Sequence, residues 1–424
     1  MHDFKYRGNS LYCENINIRD LVRRFGSPLY IYSYKTLTGH FLKLKDAFKE
    51  INPLICYSVK ANSNLRIIKS LVDKGAGLDI VSGGELYRAS LVRCPYKKVV
   101  YASVGKTDAE ISGAIKKGIL FFNVESYPEL ENIDRIAVSL GKIMRVAIRI
   151  NPDVEAGTHK FITTGKITNK FGIDFDNAYK ILSSGRDFPS LDICGLHIHI
   201  GSQITRGEPF VSAIKKTVSF IRRLEKNGIR MRYLNIGGGL GIIYDKESPQ
   251  TALRFARKIV PLLKMSGMKI IMEPGRFIAG NAGILVARVL YVKPSPRKKF
   301  IIVDAGMNDL IRPALYGAFH KILPVQKEKG RIRRERADVV GPICESADYL
   351  AKDRLLPAVR AGEYLAVMSA GAYGFSMSSN YNSRCRPAEV LVKGSKVFLI
   401  RKRESYADIA RNELTPRRFT HRKK

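Results

Sequence analysis

Acidic side chains are scarce in this chain: 38 Asp and Glu stand against 73 Lys and Arg, a formal net charge of +35 over 424 residues. Long apolar runs are missing too. No stretch of 18 or more apolar residues occurs, so no membrane-spanning helix is expected. The N-terminal segment, Met1 to Tyr30, carries Asp3, Lys5, Arg7, Glu14, Arg19 and Asp20 and lacks the apolar stretch of a secretory signal. Cysteines are few and dispersed, at 13, 56, 94, 194, 344 and 385, with no CxxC pair. That spacing argues against zinc and against a disulfide framework, so the expectation is no metal and a reducing, cytoplasmic setting.

What is there points to a large globular protein. The chain is 45% hydrophobic, ample for a core that spans two domains. Its positive field would attract polyanions non-specifically. Part of the excess is clustered. Residues 321 to 336 carry seven basic side chains, and the tail from Arg411 to Lys424 carries six. No aromatic platform or groove-fitting helix accompanies them, so they read as solvated surface and no specific nucleic-acid partner is expected.

Eight short apolar segments alternate with helical patterns: Leu54–Val59, Leu78–Val81, Val99–Tyr101, Leu120–Val124, Arg145–Ile150, Gly195–Ile200, Tyr233–Ile236 and Ile270–Glu273. Amphipathic runs such as Thr107–Lys117 and Phe210–Lys226 lie between them. Strand–helix alternation implies parallel strands, and eight units close into a (β/α)8 barrel; a doubly wound open sheet is the competing architecture. Polar residues with chemical potential sit at the ends of these segments, which favours the barrel, because its strand ends share one mouth. Beyond about residue 281 the alternation stops and short strand-like segments follow. The expected division is a barrel over residues 30–280 and an all-β domain made of 1–29 and 281–424. The N-terminal segment, lacking helical period, would join the latter.

Four constellations carry chemistry. Lys60 follows an apolar strand within Cys56-Tyr-Ser-Val-Lys-Ala-Asn62. Burial there would disfavour its charged form and free the amine as a nucleophile able to form a Schiff base with an aldehyde. The run Gly237-Gly238-Gly239 lets backbone amides approach a phosphate closely, although it matches neither a GxGxxG fingerprint nor a Walker loop. His197 and His199 lie two apart on one side of a strand. His197 reads as a satisfied core residue, and His199 as a flat ring able to stack on an aromatic cofactor. Glu273 in Glu273-Pro-Gly-Arg276 is a buried carboxylate that needs a cation. A protonated pyridine nitrogen would serve; a Glu273–Arg276 salt bridge across the turn is the plain alternative.

Taken in order, these motifs resemble the fold-type III pyridoxal-phosphate decarboxylase family, which includes ornithine, arginine and diaminopimelate decarboxylases and alanine racemase. The resemblance runs from about Leu29 to Val392. It rests also on Gly77-Leu-Asp-Ile-Val-Ser-Gly-Gly-Glu-Leu86, His199-Ile-Gly-Ser-Gln203, Arg312-Pro-Ala-Leu-Tyr316, Gly341-Pro-Ile-Cys-Glu-Ser346 and Gly371-Ala-Tyr-Gly374. It implies that Lys60 carries pyridoxal 5'-phosphate as a Schiff base, that His199 stacks on the ring and that Glu273 binds its nitrogen. Ser202, Gly237, Gly238, Gly239, Gly275, Arg276 and Tyr373 would hold the phosphate, with Asp79 near the ring. Cys344 would donate a proton from the partner of a head-to-tail homodimer; a thiol is mostly protonated yet labile near neutrality. The segment Asp153–Asn169 resembles a mobile lid.

The resemblance also implies a substrate. Diaminopimelate carries a second amino-acid head at its far end. Arg276 and Arg312 can give charge-assisted hydrogen bonds to the distal carboxylate, with Tyr316 and Tyr373 beside them, and Glu345 can pair with the distal ammonium. The expected reaction is decarboxylation of meso-2,6-diaminopimelate to L-lysine and CO2, the last step of lysine biosynthesis. An ornithine/arginine-type decarboxylase is the alternative. The turn Tyr101-Ala-Ser-Val-Gly-Lys-Thr107 departs from the family's Asn-rich pattern, and the basic segments are not explained by this activity.

Overall fold

Eight parallel strands close on themselves in the computed structural model, which describes residues 2–155, 170–183, 188–328 and 334–414. They are β1 (Leu54–Ser58), β2 (Gly77–Ile80), β3 (Val99–Ala102), β4 (Phe121–Val124), β5 (Met144–Arg149), β6 (Leu191–His197), β7 (Tyr233–Asn235) and β8 (Lys269–Met272). Each pairs with its successor, and β8 returns to β1 through Ile271↔Leu54 and Met272↔Ile55. That last pairing removes the open-sheet alternative. The strands read as near-continuous apolar runs because both faces are covered, one by the barrel interior and one by helices. All residues of β2, β3 and β4 are buried.

Helices begin where the sequence supplies caps. Thr107 and Glu110 form a reciprocal capping box at the start of Asp108–Lys117, and Gly118 ends it in the left-handed region. Ser82, Ser126 and Thr251 cap three others.

The second layer is a nine-stranded sheet. Its main path runs Tyr349–Pro357, Arg334–Val340, Lys299–Val303, Gly283–Pro294, Leu29–Ser33, Ala388–Lys393, Lys396–Arg401, while Tyr364–Val367 and Ile322–Pro324 pair beside it. Leu29–Ser33 lies between Gly283–Pro294 and Ala388–Lys393, so the chain's beginning is woven into the sheet formed by its end. A small sheet is formed by Phe4–Arg7, Ser10–Cys13 and Ile16–Asn17.

One expectation fails here. The N-terminal segment, read as lacking helical period, holds a helix, Ile18–Phe25, capped by Asn17. Ile18, Leu21, Val22 and Phe25 have helical spacing, but the run spans only two turns and is short enough to be overlooked. A second difference concerns β6, which starts at Leu191 and ends at His197. His199 therefore lies beyond the strand, in the loop, and does not share a strand face with His197.

Two ties fix the barrel mouth to the β-layer. The Tyr373 amide donates to Ala61 O at 2.8 Å, and Asn62 Nδ2 donates to Gly371 O at 3.0 Å. Both lie next to Lys60 in the chain.

Candidate active site

Lys60 sits in a single 3-10 turn, Val59–Ala61, at the carboxyl end of β1. Its Nζ donates to Asp79 Oδ2 at 2.8 Å. Asp79, fully buried on β2, also accepts from Ser58 Oγ. Burial pulls the Lys60 pKa down, but Asp79, Tyr373 and Glu273 together push it above that of an ordinary lysine. For the protein alone the balance therefore favours the charged amine over the desolvated neutral form expected from sequence. The amine rests as an ammonium because the Asp79 carboxylate, carried on the neighbouring strand, meets it.

Glu273 follows β8 and is almost completely buried. Its Oε1 accepts from Asn123 Nδ2 at 2.9 Å and Asn235 Nδ2 at 2.5 Å. His197 Nε2 stands 3.2 Å from Oε2, at ion-pair distance but out of line for a hydrogen bond. Burial pushes the Glu273 pKa up, yet His197 first and then the Lys60 ammonium outweigh it and hold the carboxyl well below its usual range. Hydrogen bonds to a charged group contribute about 1.5–3 kcal/mol each, enough for two amides to offset much of the desolvation. The Glu273–Arg276 bridge considered from sequence does not form. Arg276 turns instead to Ser202 Oγ at 3.1 Å and to Tyr244 OH at 2.7 Å.

The glycine run presses on both neighbouring strand ends. Gly237 and Gly239 adopt positive φ, +66° and +105°. A Cβ at Gly237, Gly238 or Gly239 would collide with the carbonyl oxygen of Ile198, Glu273 or Gly201 respectively. Gly238 N donates to His199 Nδ1 at 3.2 Å, which orients that ring. Burial first, then Arg149, keeps the His199 imidazole neutral. Gly275 packs against the Lys60 turn, with little room for a side chain beside Ser58 and Ala61.

These groups enclose a cavity of about 280 Å³ walled by Lys60, His199, Glu273, Arg149, Val81 and Ala102. A larger space of about 620 Å³, bordered by Glu125, Asn151 and Lys180, lies toward residues 172–181. A third, of about 160 Å³, is lined by Gln203, Tyr244, Arg276, Arg312, Tyr316 and Phe319. The first cavity suits a flat aldehyde cofactor: it offers an amine, a flat ring and an ionised carboxylate, and the glycine run packs directly behind His199 and Glu273. The buried Asp79 Oδ1, without a partner, is a further polar atom at the amine's side.

Sequence reasoning missed several members. Asn123 and Asn235 stand as lone amides inside the buried segments Phe121–Val124 and Tyr233–Asn235, a signal that was available. Arg149, paired to Glu125 at 2.5 Å, walls the cavity. Tyr244 and His320 had no motif to mark them. Lys106, from the atypical turn, is buried and bonds Glu129, Ser103 O and Asn123 O. Two expected residues lie elsewhere in this chain. Cys344 and Glu345 are exposed, Cys344 N bonding Asn382 Oδ1 at 2.9 Å and Glu345 accepting from Tyr381 OH, and neither walls the Lys60 cavity. The expected lid lies mostly outside the described residues, which exclude 156–169. Among the described residues no cluster of three or more metal-ligating side chains occurs.

The barrel and its Lys–Glu–His site define a pyridoxal-dependent enzyme. A family model described as pyridoxal-dependent decarboxylase, pyridoxal binding domain, matches residues 35–280. The diaminopimelate decarboxylase of Aquifex aeolicus is 50% identical over 95% of both chains. The structure of the Helicobacter pylori diaminopimelate decarboxylase complexed with L-lysine superposes with a TM-score of 0.89 at 40% identity, covering 93% of this chain and 98% of that one. The M. jannaschii diaminopimelate decarboxylase, also with L-lysine, gives 0.93 at 37% identity over 97% and 98%. The chain belongs to the diaminopimelate decarboxylases.

Proposed function

We propose that the chain removes one carboxylate of meso-2,6-diaminopimelate as CO2 and yields L-lysine, using pyridoxal 5'-phosphate held at Lys60. The observation that carries this is the convergence of Lys60, His199 and Glu273 on one cavity at the barrel mouth. When bound, the cofactor supplies an electron-accepting ring for the charge left at the carbon that loses CO2. The chain's own residues do the rest. Lys60 Nζ would hold the aldehyde, and Asp79 would take up the proton the amine must shed. Glu273, held ionised by His197 and Lys60, would keep the ring nitrogen protonated. The neutral His199 would lie flat against the ring. Ser202, Gly237, Gly238, Gly239, Gly275, Arg276 and Tyr373 would hold the phosphate through backbone and side-chain donors.

At the distal end, Arg312 and Arg276, with Tyr316 and Tyr373, would bind the substrate's remaining carboxylate. Glu345 would pair with its ammonium, and Cys344 Sγ would deliver the proton to the reacting carbon. Since Cys344 and Glu345 are exposed and absent from their own chain's cavity, they would act across the interface of a head-to-tail homodimer. The division into a barrel and a β-domain is part of the same reading, supported by the two layers sharing no strand; the boundary expected at residue 30 shifts past Ser33, because Leu29–Ser33 pairs within the β-domain sheet. A cytoplasmic setting fits six free cysteines. Among the described residues no helix is long and apolar enough to cross a membrane.

The test is an assay for lysine and CO2 from meso-diaminopimelate, with and without added cofactor. Cofactor-dependent release of both in equal amounts is expected, and ornithine and arginine should be turned over far more slowly. Cys344→Ala should retain cofactor and lose most turnover; full activity would remove Cys344 from the proton-donor role.

A further inference from the structure

Arg312 stands in an unusual environment. It is almost completely buried, and no carboxylate of the described residues pairs with it. Its Nη1 donates to His320 Nε2 at 2.8 Å, and its guanidinium lies 4.6 Å from the centre of the Tyr244 ring. Its Nε is buried without a partner. His320, fully buried, meets Met368 O through Nδ1 at 2.8 Å. These contacts fix the tautomer. Guanidinium can only donate and a carbonyl can only accept, so Nε2 is the acceptor and Nδ1 carries the hydrogen. Tyr244 packs edge-on to the imidazole at 5.3 Å and also accepts from Arg276, so both guanidinium groups are arranged around one ring.

A guanidinium has two forks. With an Nη1 hydrogen engaged by His320 and Nε without a partner, the Nε–Nη2 edge is the fork left wholly unengaged, and it matches a carboxylate in bidentate fashion. It belongs to a side chain that lines the 160 Å³ cavity with Arg276 and Tyr316. We infer that His320 is a positioning residue for substrate selection: its neutral imidazole claims Nη1 and so presents the other edge of Arg312 to the distal carboxylate of the substrate. The inference rests on the proposed carboxylate-binding role of Arg312. Burial, then the adjacent Arg312, holds the His320 pKa down at about 3, so the acceptor persists across the working pH range. An acceptor that became cationic would repel Arg312 and release its orientation.

The chemistry suggests the test. L-lysine retains the distal carboxylate, whereas cadaverine has the same chain without it. His320→Asn can still donate to Met368 O but is too short to accept from Arg312; His320→Gln reaches the Nε2 position and offers an acceptor. The loss of one hydrogen bond to a charged group predicts a KM for diaminopimelate raised about ten- to a hundredfold in the Asn variant, with kcat changed much less. L-lysine inhibition should weaken in step, cadaverine inhibition should hold, and cofactor affinity, read from the visible absorbance on titration, should be unchanged. The Gln variant should recover most of the loss. Equal weakening of lysine and cadaverine, or weakened cofactor binding, would make His320 a core residue or a phosphate support and overturn the inference. Arg312→Ala serves as the reference. If it abolishes the lysine preference while His320→Asn leaves it intact, the inference alone fails; if neither variant moves it, the carboxylate role of Arg312 fails as well.

Discussion

Lys60 and Asp79 set the charge of the site before any ligand arrives. The ammonium lies 2.8 Å from a buried carboxylate, so binding an aldehyde at Nζ requires a proton to leave, and Asp79 is placed to take it. Motifs in the sequence pointed to Lys60 and Glu273, because each stands in a contiguous run with a strand before it. They did not reveal the charge states, which are decided by Asp79, Asn123, Asn235 and His197, partners that only folding brings in from other strands. Tyr244 and His320 were illegible for the same reason: a lone tyrosine and a lone histidine gain meaning only from two arginines that packing sets beside them. Another buried group outside the site gives a pH prediction. Burial pushes the Asp309 carboxyl up to about 7 from its ordinary 3.8. A raised carboxyl pKa favours folding at low pH, and that contribution is lost as pH rises from about 4 through 7. Asp309→Asn should therefore raise the melting temperature of the cofactor-loaded protein more at pH 8 than at pH 5, and an equal gain at both would show that Asp309 titrates normally.

Among the elements, the glycine loop after β7 and the helix Asp108–Lys117 respond oppositely to the same change. A methyl at Gly238 would enter the space of Glu273 O, so the end of β8 would have to move and carry the carboxylate with it. Gly238→Ala should weaken cofactor binding by tenfold or more and lower turnover. Gly113 lies inside its helix with nothing within 4 Å of an added Cβ. Gly113→Ala should stabilise the protein by about 0.5–1 kcal/mol in urea unfolding and leave kinetics unchanged. The element order was the most legible level. All eight barrel strands could be read from apolar segments between turn residues, because parallel strands buried on both faces leave little ambiguity. The helix Ile18–Phe25 escaped because its apolar stripe is only two turns long. The placement of Leu29–Ser33 within the far sheet could not be read locally, since its partners, Gly283–Val286 and Ala388–Val392, come from the other end of the chain.

For the whole molecule, the distribution of residues between chain and assembly is the issue. The cavity of one chain holds Lys60, His199 and Glu273, while Cys344 and Glu345 stand exposed on the β-layer. If sites are shared, mixing equal amounts of inactive Lys60→Ala and Cys344→Ala subunits should restore about a quarter of wild-type activity, since half of randomly formed dimers are mixed and each has one intact site. No restoration after verified subunit exchange would place the proton donor within the same chain. All of this depends on one covalent attachment. Reducing the cofactor-loaded protein with borohydride and mapping its peptides by mass should find the pyridoxyl group on Lys60 at one per chain. A label on any other lysine, or none, would contradict the account at its centre.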